Sequence, residues 1–125
     1  MKKILIVDDE PQILEILEIR LKASQYDVLK ASDGQEAINM ATAHKPDLII
    51  MDIMMPNLPG GDAVKLLSQR DDTKNIPVVF LTAVVSNMPE GYENKRINVN
   101  GQFYKALVKP FKTEVLLSEV KSIIG

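Results

Sequence analysis

Short runs rich in apolar residues alternate along this chain with segments whose apolar residues recur at helical spacing. Runs of this length and composition are typical of strands buried on both faces of a parallel sheet. The predicted strands cover residues 3–7, 27–31, 48–51, 78–81 and 103–108. Turn-forming prolines and glycines follow several of them, most densely after the third strand.

Helices are predicted between the strands and after the last one. Asp33 with Glu36 three residues later resembles a capping box, so the second helix should begin there and end near His44. The third should run from about residue 61 to residue 71. The apolar residues that define the inner faces are Ile13, Leu17 and Leu21, then Ala37, Ile38 and Ala41, then Val64 and Leu67, and finally Leu116, Val120 and Ile124.

Strands that alternate with helices indicate βαβ units, a parallel sheet and right-handed crossovers. We therefore predict an α/β fold with three α/β/α layers and a five-stranded parallel sheet. Five strands in this alternating pattern suit the flavodoxin-like order 2-1-3-4-5. The length of 125 residues suits one domain, 1–125, and no linker to an effector domain is visible in the sequence.

Composition excludes several classes of function. With a net charge of −2, the chain lacks the basic surface that binding to nucleic acid or an anionic membrane requires. No apolar stretch approaches the roughly 20 residues of a membrane span, and the amino terminus lacks a signal-peptide cleavage site. Without cysteine and with His44 as its one histidine, the chain is not expected to bind zinc. We expect a cytoplasmic protein.

Polar residues stand where four of the predicted strands end. They are Asp8 and Asp9 after the first strand, Asp52 after the third, Thr82 after the fourth and Lys109 after the last. Because the carboxyl ends of parallel strands meet at one edge of the sheet, these side chains should lie together. Three neighbouring carboxylates repel one another unless a divalent cation joins them, and oxygen ligands favour Mg²⁺.

A carboxylate surrounded by a cation, an ammonium and a hydroxyl has the groups that phosphoryl transfer requires. We therefore predict that Asp52 is a nucleophile that accepts a phosphoryl group. Taken singly, each residue also has an ordinary explanation: Asp9 as a helix cap, Thr82 as a turn residue, Lys109 as a surface lysine and Asp52 as the start of a loop. Four complementary strand ends favour the functional interpretation.

The chain resembles the receiver domain of two-component response regulators, in particular the chemotaxis receivers. The resemblance covers nearly the whole chain, and the strand order 2-1-3-4-5 is also that of the family. The matching segments are residues 4–10 (ILIVDDE), 48–52 (LIIMD), 55–56 (MP) with Gly60, 81–83 (LTA) and 108–111 (VKPF).

The resemblance implies a phosphorylation-dependent switch that is not an enzyme in its own right. Asp52 would accept the phosphoryl group of a histidine kinase or phosphotransfer protein, and a downstream partner or a linked effector domain would read the change. Asp8, Asp9 and Asp52 would hold Mg²⁺ together with the main-chain carbonyl of Met54. The resemblance also implies that Thr82 and Lys109 contact the phosphoryl oxygens, and that the Lys109–Pro110 peptide bond is cis.

Two departures from the family pattern concern the output side. The stretch from Val85 to Gln102 is long and interrupted by proline, glycine and asparagine, so we predict that the fourth helix is short, displaced or replaced by a loop or hairpin. Asn100-Gly101 is itself a hairpin signal. The position of the family's aromatic switch residue holds Ala106, and Tyr104, which should point to the same face of the sheet, could replace it.

The residues two places after Asp52 and Thr82 are Met54 and Val84. In the family these positions flank the path of an attacking water molecule, and here both side chains are apolar. We therefore predict slow self-dephosphorylation.

Three other functions compete with a switch. A phosphatase with an aspartyl nucleophile generally carries an acid two residues later, where this chain has Met54. A flavin- or nucleotide-binding module needs a phosphate loop after the first strand, where this chain has three acids. A degenerate receiver that serves only as an interaction surface is disfavoured by the intact Asp52 and Lys109.

Overall fold

A computed structural model describes residues 1–55, 58–83, 96–99 and 101–125. The strands are β1 (Lys3–Val7), β2 (Asp27–Ala31), β3 (Leu48–Asp52), β4 (Val78–Ala83), β5 (Arg96–Val99) and β6 (Gln102–Lys109). The helices are α1 (Pro11–Ala23), α2 (Gly34–His44), α3 (Gly60–Ser68) and α4 (Thr113–Ile124). No helix in these ranges is long and apolar enough to cross a membrane.

The sheet has the order β2-β1-β3-β4-β6-β5. Its first five strands run parallel, which confirms the predicted order 2-1-3-4-5 with β6 as the fifth parallel strand. The sixth strand, β5, was not counted in that prediction and pairs antiparallel with β6 at the edge of the sheet. Its hairpin turn includes Gly101, whose φ of 86° is readily adopted only by glycine.

The hairpin signal in the sequence is therefore confirmed, since residues 96–99 form a strand. Residues 84–95 and Asn100 lie outside the described residues, so the remainder of the prediction about the fourth helix falls there.

Two apolar cores cover the two faces of the sheet. Helices α2 and α3 pack on one face, where Phe80 is the largest fully buried side chain. Helices α1 and α4 pack on the other, around residues such as Leu17 and Leu116. The central strand β3 is buried along its whole length, as its run of apolar residues predicts. This burial fixes where β3 ends relative to the neighbouring strands along the edge of the sheet.

Helix α3 ends at Ser68, three residues before the predicted end. The hydroxyl of Thr73, a buried residue, donates a 2.7 Å hydrogen bond to the carbonyl oxygen of Leu67. The carbonyls of a last helical turn need such partners, and this one is supplied by a turn rather than by a further helical residue. The second helix was predicted correctly: Asp33 accepts a 2.8 Å hydrogen bond from the Glu36 amide and caps it.

Gly60 lies against the end of the central strand. A Cβ atom at Gly60 would clash with the carbonyl oxygen of Asp52 and stand 3.0 Å from the Ile53 Cα. The neighbouring Gly61 has nothing within 4 Å of the same position. Only hydrogen therefore fits at Gly60, while Gly61 tolerates a methyl group.

We predict that Gly60→Ala lowers the free energy of unfolding by about 3 kcal/mol, because the backbone of β3 must shift to admit the methyl group. Gly61→Ala is the matched control and should change stability by less than about 1 kcal/mol, in the stabilising direction. Urea unfolding followed by circular dichroism measures both. Equal stability of the two variants would contradict the close packing at Gly60.

Candidate functional site

The register of the sheet brings the polar strand ends to one edge. The paired residues there are Val7 with Met51, Asp52 with Leu81, Thr82 with Val108, and Ala83 with Lys109. Asp8 follows β1 directly and so stands beside Asp52, while Thr82 stands one residue beyond it on the next strand. The structure therefore brings together Asp8, Asp52, Thr82 and Lys109, as the sequence predicted.

Asp52 is held by two different donors. Its Oδ1 accepts a 3.0 Å hydrogen bond from the Met54 amide, and its Oδ2 accepts one of 3.2 Å from the Lys109 ammonium. Only 3% of Asp52 is exposed. These contacts fix the orientation of the carboxylate toward the edge of the sheet.

Lys109 bridges the carboxylates of three residues. Its Nζ lies 2.7 Å from Asp8 Oδ2, 3.2 Å from Asp52 Oδ2 and 3.5 Å from Glu10 Oε1. Burial by itself would lower the pKa of Lys109, but its contacts with Asp8 and Asp52 outweigh burial and raise that pKa above 10.5. The ammonium is therefore charged throughout the physiological range.

Burial raises the pKa of Asp52 from 3.8 to about 6, and the negative charge of Asp8 acts in the same direction. The Met54 amide and the Lys109 ammonium lower the pKa and offset part of this rise. At neutral pH the Asp52 carboxylate is still mostly ionised and available as a nucleophile. Its ionised form is nevertheless less stable in the folded protein than in water.

A cation site can be built from four neighbouring carboxylates. One oxygen each from Asp8, Asp9, Glu10 and Asp52 lies within 4.8 Å of the others. Asp8 and Asp52 are buried, whereas Asp9 and Glu10 are exposed. One ammonium faces this negative charge among the described residues, and the oxygen donors are those that Mg²⁺ prefers. The residues thus fit a hard divalent cation.

Two sequence predictions gain detail here. Asp9 is not the N-cap of α1, because that position is held by Glu10, whose side chain makes no capping hydrogen bond. The Lys109–Pro110 peptide bond is cis, as expected. The Met54 side chain, 72% exposed, lies on the loop that follows Asp52.

Glu10 is the site residue that sequence reasoning missed. It lies 3.5 Å from Lys109 and belongs to the carboxylate cluster. The signal for it was available, because Glu10 is the third consecutive acid after β1.

The aromatic switch position of the family is filled by a small, buried residue. Ala106 is 2% exposed and pairs with Phe80 on β4. Tyr104 packs on the same face of the sheet, and its ring meets that of Phe80 edge to face, with centroids 5.7 Å apart and an interplanar angle of 88°. The prediction that Tyr104 and Ala106 share a face is confirmed. Val84, which like Met54 is an apolar residue expected beside the path of an attacking water molecule, lies outside the described residues.

Known proteins resemble this chain in sequence and in structure. The alkaline phosphatase synthesis transcriptional regulatory protein PhoP of Bacillus subtilis is 37% identical over 123 residues, covering 98% of this chain and 48% of PhoP. The chain spans about half the length of the first curated relatives it matches.

Two solved structures share the fold over nearly their full lengths. The Vibrio cholerae chemotaxis protein CheY4 has a TM-score of 0.82 and 31% identity, with 99% of each chain covered. The receiver domain of the Pseudomonas aeruginosa sensor histidine kinase PA1611, which has a magnesium ion coordinated in its active site cleft, has a TM-score of 0.82 and 27% identity. The match covers 99% of this chain and 98% of that one.

The sequence family described as "Response regulator receiver domain" matches residues 4–121. That range includes every residue of the site described above. The chain therefore belongs to the receiver domains of two-component response regulators.

Proposed function

We propose that Asp52 accepts a phosphoryl group from the phosphohistidine of a histidine kinase or phosphotransfer protein, and that this modification switches a signalling surface. The observation that carries the proposal is the contact of buried Asp52 with Lys109, beside the buried carboxylate of Asp8. Receiver domains are signalling phosphoacceptors rather than enzymes that turn over a substrate, and membership of that family supports the proposal.

The transfer is a nucleophilic substitution at phosphorus. An ionised carboxylate oxygen of Asp52 attacks, the new O–P bond forms, and the P–N bond to the donor histidine breaks. The departing imidazole nitrogen keeps the electron pair of that bond and is protonated from solvent. The Met54 amide holds Asp52 in place during attack, and Lys109 neutralises charge beside it.

Mg²⁺ would be held by Asp8, Asp9 and Asp52 with the main-chain carbonyl of Met54, and Glu10 lies close enough to join them through its carboxylate. The cation would neutralise charge on the phosphoryl oxygens. It would also reduce the repulsion between Asp8 and Asp52, which the ammonium of Lys109 offsets only in part.

After transfer, the added negative charge would shift a two-state equilibrium at the output surface. Lys109 and the Thr82 hydroxyl stand at the ends of their strands, where they would contact the phosphoryl oxygens. Residues 1–125 would act as one cytoplasmic receiver domain. Its signal would pass to a downstream protein or to a linked effector domain, as the name of the transcriptional relative PhoP suggests for that protein.

We predict that incubation with Mg²⁺ and acetyl phosphate adds the mass of one phosphoryl group to the wild-type chain. Asp52→Asn should gain no such mass, because an amide is not a nucleophile for this reaction. Asp71→Asn, at a fully exposed carboxylate, is the matched control and should be modified like the wild type. Intact mass spectrometry provides the measurement, and equal modification of Asp52→Asn would exclude Asp52 as the acceptor.

The raised pKa of Asp52 predicts a pH-dependent effect on stability. Because the folded pKa of about 6 exceeds the ordinary 3.8, the ionised Asp52 carboxylate destabilises the folded state, and this cost is complete above pH 6. The cost decreases as the pH falls from about 6 to 3.8. In EDTA near pH 7.5, Asp52→Asn should therefore be more stable than the wild type by about 1–2 kcal/mol. Near pH 5 much of that difference should be lost.

Urea unfolding at the two pH values measures this difference, with Asp71→Asn as the control that should not show it. Addition of Mg²⁺ near neutral pH should stabilise the wild type more than Asp52→Asn, since binding to the folded state shifts the unfolding equilibrium. A wild type more stable than Asp52→Asn in EDTA near pH 7.5 would contradict the assigned electrostatics.

We predict that the aspartyl phosphate of the wild type is long-lived, because Met54 and Val84 offer no polar group to orient a water molecule. A Met54→Asn, Val84→Glu double variant should hydrolyse its phosphate at least about tenfold faster. Met54→Leu, which stays apolar, is the control. Loss of phosphate measured over time by intact mass gives the rates, and an unchanged rate in the double variant would refute the prediction.

A further inference from the structure

The loop between β3 and α3 rests on a glycine at the start of α2. A Cβ atom at Gly34 would lie 2.5 Å from the carbonyl oxygen of Leu58 and 2.9 Å from its Cβ and Cγ. Gly34 is buried, and Leu58 is half-buried against the core. Because a backbone atom is among those contacts, a side chain at Gly34 would require a movement of the backbone.

Helix α2 is the fixed partner in this contact. Its Ala37 and Ala41 are fully buried in the core between the helix and the sheet. Its first turn is anchored by the hydrogen bond from the Glu36 amide to Asp33. A methyl group at Gly34 would therefore displace the loop at Leu58 more readily than it would displace the helix.

The same loop contains the amide that donates a hydrogen bond to the Asp52 carboxylate. The Ile53 amide donates to the Leu81 carbonyl at 3.0 Å, and the Gly60 amide donates to the Ile53 carbonyl at 3.2 Å, so both ends of the loop are tied to the sheet edge. Between these ends, the Met54 amide donates to Asp52. Met54 and Leu58 therefore lie four residues apart in the chain, both within the segment that these two anchors delimit.

We propose that Gly34 is a positioning residue for the candidate site, although it belongs to no strand end and contacts no reacting atom. By letting Leu58 rest on the first turn of α2, it holds the loop where the Met54 amide meets Asp52. The same position keeps the Met54 carbonyl available to a divalent cation. The second part of this inference rests on the proposed function, whereas the hydrogen bond to Asp52 does not.

The test is Gly34→Ala with two readouts. In metal-free protein, the Met54 amide should exchange its hydrogen about tenfold faster than in the wild type, because its bond to Asp52 is loosened. In an NMR titration with Mg²⁺, the apparent dissociation constant should rise about tenfold, the size expected if overpacking strain is relieved by moving the loop.

Two control variants separate positioning from stability. Ala41→Gly weakens the same helix away from the loop and should change neither readout beyond its general destabilisation. Gly61→Ala adds a methyl group at the other side of the loop, in open space, and should leave both readouts unchanged. If Gly34→Ala does not fold, Leu58→Ala removes the Cγ part of the contact and the burial of the Leu58 side chain against the core, and should shift both readouts in the same direction.

Wild-type values for Met54 exchange and Mg²⁺ affinity in Gly34→Ala would overturn the inference, as would identical changes in Ala41→Gly. A wild type that binds no Mg²⁺ and gains no phosphoryl group would count against the proposed function instead. In that case the exchange rate of the Met54 amide still decides whether Gly34 positions the loop.

Discussion

The carboxylates of Asp8 and Asp52 share the ammonium of Lys109 at an edge of the sheet where both acids are almost fully buried. Two like charges in such a place are tolerated only when a cation stands between or beside them. Burial, with the negative charge of Asp8 acting in the same direction, raises the pKa of Asp52 to about 6 although the Lys109 ammonium lies beside it. Among the described residues one ammonium faces four carboxylates, so the cluster keeps a net negative charge, and its oxygen donors fit a hard divalent cation.

The parallel sheet makes this arrangement possible. Burial of β3 on both faces fixes its register with β1 and β4, so that the three strands end at matching heights. The loop that follows Asp52 is then packed against backbone at two glycines, Gly60 on the strand side and Gly34 on α2. Glycines far apart in the sequence thus pack against the two ends of this segment, Gly60 against Asp52 and Ile53 and Gly34 against Leu58, and neither leaves room for a side chain.

The side of the fold that carries β6 differs from the family pattern at the position of Ala106. Ala106 carries only a methyl group and has no side-chain rotamer to exchange, so a swinging ring at this position is not available to the chain. The aromatic rings on this face of the sheet are those of Phe80 and Tyr104, which pack edge to face. The sheet is extended on that side by the hairpin of β5 and β6 rather than ending at its fifth parallel strand.

The sequence alone determined the five parallel strands and the polar residues at their ends, because burial on both faces leaves apolar runs whose last residues mark one edge; the order of the strands came with the resemblance to the family. The tertiary structure decided what depends on distances between remote segments: the place of Glu10 beside Lys109, the rise in the pKa of Asp52, and the contact of Leu58 with Gly34. It also decided the end of α3 at Ser68, where the hydroxyl of Thr73 donates a hydrogen bond to the carbonyl of Leu67 in the last helical turn. No periodicity encodes such contacts, since each needs two parts of the folded chain to meet.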